Sequence, residues 1–220
     1  MGLRAYVGAS VQLPAGRPVI ARFNLLPDPR FAAFGPQLEE RLDEVAHALR
    51  PDTFASLLQR STRDVLVDAF QAVGADEGTV WLADPAEQFL DPVLNSGPTA
   101  AQLVGHFRQP MNQGLMTLTF RNQQSQIENQ VYRNDLQDQT LDRKLGLVTC
   151  SMMVVRLQFA GKVRGVISCV QLKPAHTDQP DPRGFAPEDL QRMDRTADVL
   201  SVLIDHQLVG TLLGLRGVAR

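Results

Sequence analysis

Two long apolar segments separated by three residues constrain this chain more than any other feature. Val148 to Phe159 and Val163 to Leu172 are joined only by Ala160-Gly161-Lys162. That connection is too short for a crossover, so the two must be antiparallel neighbours. Both carry apolar residues at odd and even positions alike, whereas a strand wet on one face would alternate. They therefore belong at the centre of a sheet covered on both sides, and the rest of the chain has to supply two covering layers.

The flanking segments have the patterns to do so. Leu38, Leu42, Val45, Ala46 and Leu49 fall at helical spacing, and Pro51 is expected to end that helix. A second helix is expected from Asp52 as N-cap to Gly74, with Phe54, Leu57, Leu58, Val65, Leu66, Ala69, Phe70 and Val73 as its apolar stripe. Gly78-Thr-Val-Trp-Leu-Ala-Asp84 reads as a strand, followed by a second run from Phe89 to Leu94. Pro98 to Phe107 reads as a helix with proline in its first turn. From Gln109 to Lys144 the chain is rich in Gln and Asn. Anchors at Leu115, Leu118, Phe120, Ile127, Val131, Leu136, Leu141 and Leu145 predict short helices and loops laid over one sheet face. A long final helix carries Leu190, Met193, Ala197, Leu200, Leu203, Ile204, Leu208 and Leu212.

The division expected from these patterns is a proline-rich arm over 1–36, a short helix over 37–51, the main domain over 52–209 and a helical tail over 210–220. At 220 residues this suits one domain with extensions. A formal charge of −2 offers no basic field for nucleic acid. No run reaches the roughly 20 apolar residues of a membrane span, and the N-terminus lacks the layout of a secretory signal. A cytoplasmic protein with no nucleic-acid or membrane partner is the expectation.

In order, Gly78-Thr-Val-Trp-Leu82, Gly114-Leu-Met-Thr117, Cys150-Ser-Met-Met-Val-Val-Arg-Leu157, Val163-Arg-Gly-Val-Ile167 and Phe185-Ala-Pro-Glu-Asp189 resemble the GAF domain family, over residues 54–208. The resemblance implies an α+β, profilin-like sandwich: an antiparallel sheet of five to six strands, terminal helices on one face and a helix-and-loop lid on the other. It also implies a small-molecule pocket under the lid, dimers formed through helices, and a sensory or regulatory role. By the same resemblance the candidate pocket residues are Trp81, Asn95, Phe107, Ser151, Met153, Arg156, Ser168 and Gln171. Departures narrow the ligand. Gln171-Leu172 stands near the Asn-Lys pair of the members that bind cyclic nucleotides, and Leu190 follows Asp189 where they carry Glu. No cysteine lies in 109–145, where bilin-binding and sulfoxide-reducing relatives use one.

Several residues keep two readings. Cys150 and Cys169 are buried thiols or redox sensors, and their apolar neighbours favour burial. His106 has no partner at metal-ligand spacing. Arg156 reaches an anionic ligand or pairs with Asp135 or Asp142. Trp81 borders the pocket or fills the core. Met152 and Met153, with Met111 and Met116, line an apolar pocket or plug gaps. Glu188 and Asp189 suit a helix start rather than an acid–base pair. The reading adopted is a non-enzymatic small-molecule sensor, with no catalytic residue, no metal and no tetrapyrrole expected. It would form a homodimer through a residual stripe at Leu200, Leu203, Leu208 and Leu212. A dimerisation module whose pocket is filled by its own side chains is the alternative, and a cysteine-dependent reductase the third.

Overall fold

A computed structural model of the protein describes residues 35–212. The arm expected over 1–36 lies almost wholly outside the described residues, as does the tail beyond Leu212. Helix α1 (Gly35–Ala48) leads into a short helix α2 (Pro51–Phe54), a 3₁₀ turn (Ala55–Leu57) and α3 (Arg60–Ala72). Strands β1 (Glu77–Ala83) and β2 (Phe89–Asn95) follow, then α4 (Ala100–Leu103), β3 (Gln109–Pro110), α5 (Leu115–Asn122), β4 (Gln126–Glu128), a 3₁₀ turn (Val131–Arg133) and α6 (Thr140–Leu145). The central pair β5 (Leu147–Phe159) and β6 (Lys162–Pro174) precedes the long α7 (Pro187–Leu212).

The six strands form one antiparallel sheet in the order β3-β2-β1-β6-β5-β4. The expected central hairpin stands: β5 and β6 pair along nearly their whole length, from Leu147 opposite Pro174 to Phe159 opposite Lys162. Register slips once at Thr149/Ser151 and again at Leu157/Gln158. Residue 165 must be glycine, because a Cβ there would stand 1.9 Å from the Trp81 carbonyl oxygen on β1.

Two cores result, one on each face. On the helix side, Val80 and Leu82 of β1, Met153, Val155 and Leu157 of β5, and Ile167 and Cys169 of β6 meet Phe54, Leu66, Phe70, Met193, Ala197 and Ile204. Phe54 stacks on Phe159 with ring centroids 5.6 Å apart. On the lid side, Trp81, Met152, Val154 and Val166 meet Leu90, Leu103, Met111, Leu115, Met116 and Val131. Burying each large apolar side chain stabilises by roughly 1.5–3 kcal/mol, so both layers are bound to the sheet and neither hangs free.

Differences from the sequence reading have physical causes. The helix expected from Asp52 to Val73 breaks at Leu58, which is extended (φ −85°, ψ 101°). Phe54, Leu57 and Leu58 are all buried, as are Leu66, Phe70 and Val73. On one straight helix these two groups would point about 130° apart, so the chain must kink to bury both. Arg63 secures the kink by donating to the Leu58 and Ala55 carbonyls, and Val65 of the expected stripe is left 59 % exposed. Pro51 does not simply end a helix; it occupies the first turn of the next one. The helix expected over Pro98 to Phe107 is confined to α4. The 109–144 segment also supplies both edge strands, β3 and β4, of two and three residues. Its anchor Leu136 is 60 % exposed.

The final helix has a second apolar face. Leu200 and Leu208, expected to remain for self-association, are buried because α1 packs along α7 with Val45 and Ala48; Leu212 is partly buried against the same core. Only Leu203 of the expected stripe stays open, joined by Val199, Val202 and Val209 at 58 %, 68 % and 51 % exposure. Helical spacing places these four on one side of α7, opposite the buried face. Among the described residues no helix is long and apolar enough to cross a membrane.

Candidate functional site

The sheet floor beneath the lid is built by strand alternation. Along β1, Glu77, Thr79 and Trp81 share one face, and along β6 Ser168, Val170 and Leu172 do. Thr149 and Met152 of β5 complete the floor. Leu115 and Met116 at the start of α5 and Leu141, Asp142 and Leu145 on α6 roof it, with Gln109, Gln137 and Asp138 at the side. A cavity of about 70 Å³ remains between them, enough for a few waters or a compact ligand. A wider concavity, about 690 Å³, opens at the far end between α1 and the β1–β2 turn. Two ion pairs lie along it, Arg108 with Asp91 at 2.6 Å and Lys162 with Glu87 at 2.8 Å, and Asp43, His47 and Arg164 line it as well.

Polar groups in the cavity between sheet and lid are held in fixed orientations. Trp81 Nε1 donates to Ser168 Oγ at 2.9 Å, across two neighbouring strands. Asn95 Nδ2 donates to Thr79 Oγ1 at 2.8 Å and to Glu77 Oε2 at 3.2 Å, while its oxygen accepts from the Gly97 amide. Asp138 accepts from Gln109 at 3.0 Å and Gln113 at 2.8 Å. Burial opposes ionisation of Asp138, but its bonds from Thr140, Gln109 and Gln113 outweigh that and hold the carboxyl below the usual carboxylate range. Asp142 accepts from the amide and the hydroxyl of Thr149 at 2.8 and 2.7 Å. There burial dominates and, with Asp138 nearby, pushes the carboxyl up.

The eight candidate residues separate by face. Trp81, Asn95 and Ser168 line the cavity. Phe107 packs edge-on against Trp81, centroids 6.1 Å apart, and is not itself a wall. Met153 lies in the core on the helix side. Gln171 also points away from the lid, donating to the Gly74 carbonyl at 2.9 Å and accepting from the Gly184 amide at 3.0 Å. Ser151 pairs with Gln171 across the strands and shares its face. Arg156 is exposed towards the far end of β5, outside the cavity. Asp142, one of its expected partners, bonds Thr149 instead. The residues overlooked are Glu77, Thr79, Gln109, Asp138 and Asp142. Alternation from Trp81 alone would have found the first two.

The lid is fastened at three points to α7 and to the loop that leads into it. Asn129, after β4, donates to the Phe185 carbonyl at 3.0 Å and accepts from its amide at 2.8 Å. Ser125 Oγ donates to Asp194 at 2.6 Å. Tyr132 donates to Asp181 at 2.6 Å, which also takes Lys173 Nζ at 2.6 Å. Asp189 caps α7 by accepting from the Ala186 amide, the structural role expected of that acid.

A family model described as the GAF domain matches residues 57–204. The fold is similar to the GAF domain of a phosphoenolpyruvate-protein phosphotransferase from Coxiella burnetii, at 18% identity and a TM-score of 0.56 over 81% of this chain and 94% of that one. It is similar to the GAF-B domain of DevS from Mycobacterium smegmatis, at 22% identity and 0.50 over 73% and 98%. A free methionine-R-sulfoxide reductase from Neisseria meningitidis, solved with its substrate, shares the fold at 18% and 0.50 over 83% and 95%. Among curated proteins none matches the sequence.

Proposed function

This chain belongs to the GAF domain family, and from that premise we propose that it is a non-enzymatic sensory module. It holds a small molecule between sheet and lid and passes its presence through the terminal helices to a second copy of the chain. The observation that carries the reading is the cavity between sheet and lid, where Trp81 is bonded to Ser168 and Asn95 to Thr79 along its wall. Side chains held in this way recognise a ligand without being reordered by it. The lid's bonds to Phe185, Asp194 and Asp181 supply the route outward. A ligand that favours one lid position shifts the population of whatever arrangement of α7 goes with it.

The thiols support a non-catalytic role. Cys169 is 1 % exposed on the helix side of β6, where burial pushes its thiol far up. Cys150 is buried, and burial together with Asp181 pushes it up as well. Neither is the accessible thiolate that reductase chemistry requires. The dimer part of the proposal rests on Val199, Val202, Leu203 and Val209, an apolar row on a long helix.

A second reading, a dimerisation module with a filled pocket, is favoured by one observation, the small volume of about 70 Å³. Native mass spectrometry of protein purified without added ligand separates the two. A retained small molecule released on denaturation is the outcome expected for a sensor. Apo mass alone, with no library compound raising the melting temperature, would favour the filled module.

A further inference from the structure

The walls of the sheet–lid cavity carry charge of one sign. Glu77, Asp138 and Asp142 line it, and among the described residues no Lys, Arg or His does. Glu77 is 8 % exposed, and among the described residues its carboxylate takes only neutral donors, Asn95 at 3.2 Å and Thr99 at 3.4 Å. Those distances are longer than the 2.7–2.9 Å of a bond to a cation.

A second wall group is an acceptor. Gln109 is 3 % exposed, and its amide nitrogen is committed to acceptors, Asp138 at 3.0 Å and the Gln113 carbonyl at 3.3 Å, which fixes the orientation of the amide. Its Oε1 accepts from no donor among the described residues, and Gln109 is one of the residues that line the cavity. The walls thus offer carboxylates and an amide oxygen but, among the described residues, no positive charge; the Thr79 and Ser168 hydroxyls, which accept from Asn95 and Trp81, supply neutral donors.

We infer that the ligand of this cavity is a small organic cation, a protonated amine on a short carbon chain, an inference that rests on reading the cavity as a ligand site. The ammonium reaches Glu77 and Gln109 Oε1 with its several donors, and Trp81 supplies an aromatic wall for the charge. The remaining wall, Leu103, Leu115 and Met152, suits carbon. That wall favours an organic cation over a metal ion, as does the lack, among the described residues, of any cluster of three His, Cys, Asp or Glu able to hold a metal. A carboxylate or phosphate would meet three acids and no base.

Trp81 is the only tryptophan in the chain, so its emission reports on this wall. The test is titration of the full chain with propylammonium chloride, propionamide and sodium propionate at matched ionic strength, following Trp81 emission and melting temperature together. The expected result is a saturable response to propylammonium and none to propionate. Glu77→Gln is expected to weaken the amine about tenfold or more, with Asp142→Asn as the second variant should the first fail to fold. A saturable response to propionate or propionamide without one to propylammonium overturns the assignment and leaves the cavity as a ligand site. An amine response unchanged in both variants places the amine elsewhere and overturns it too. Silence from all three probes and from a wider neutral and anionic library removes the cavity reading along with it.

Discussion

Asn129 and Phe185 hold each other by two hydrogen bonds in opposite directions, side-chain amide to backbone, at 3.0 and 2.8 Å. The first belongs to the lid just after β4 and the second stands two residues before α7. The clasp is tight enough to dictate its neighbour. Gly184 sits at φ +81°, and a Cβ there would come within 2.8 Å of the Asn129 amide group.

Breaking the clasp should therefore loosen the lid without dissolving the core. Asn129→Ala is expected to cost about 1–2 kcal/mol, for two partly exposed hydrogen bonds, measured by urea unfolding. Gly184→Ala should cost about as much, through its left-handed backbone and the collision with Asn129. Hydrogen exchange should accelerate at 126–134 and 184–190 in both variants, and an even rise across the sheet would argue against a local clasp.

Ser168→Ala removes the acceptor of the buried Trp81 N–H. Leaving that donor unpaired should cost about 1–2 kcal/mol and shift the emission of Trp81. An unchanged spectrum would mean that Ser168 does not orient the indole.

The acids of the cavity make stability depend on pH in opposite directions. Because Asp142 is held above its free value, its ionisation disfavours the native state. The stability it costs appears as pH rises from the free carboxylate range, near about 3.9, through the higher native value. Asp138, held low, contributes stability above about 3.9 that is lost as pH falls through its depressed native value. Asp142→Asn should thus gain stability relative to wild type between acid and neutral pH, read as urea midpoints across the series. A variant that falls behind wild type as pH rises would contradict the assigned direction.

On α7, Val202→Glu and Leu203→Glu place charge in the middle of the exposed row. If that row joins two copies, light scattering should show a dimer in the wild type and a monomer in each variant, with the monomer's fold intact by circular dichroism. A wild-type monomer at tens of micromolar removes the dimer from the proposal.

The central hairpin was legible because β5 and β6 are apolar on both faces and separated by a link that permits one arrangement only. The kink at Leu58 was not, because Val65 made the stripe look continuous, although the phase change between Phe54, Leu57, Leu58 and Leu66, Phe70, Val73 was present in the spacing. Edge strands of two and three residues leave no periodicity to read. Trp81 and Ser168 reach the cavity wall because they lie on central strands with the right parity. Gln171 has the opposite parity to Ser168 and so could not face the same cavity. Ser151 and Met153 face away from the cavity because of the register slip at Thr149/Ser151, which turns the strand's faces over and has no sequence signature.

The most direct test of a ligand site coupled to α7 is hydrogen exchange measured on the full chain together with Trp81 emission, across a library of small cations, neutral compounds and anions. The expected result is at least one compound that shifts Trp81 saturably and slows exchange both in the lid at 126–134 and at the start of α7, 185–194. A folded protein in which no compound moves either signal, or in which Trp81 responds while α7 does not, would contradict it.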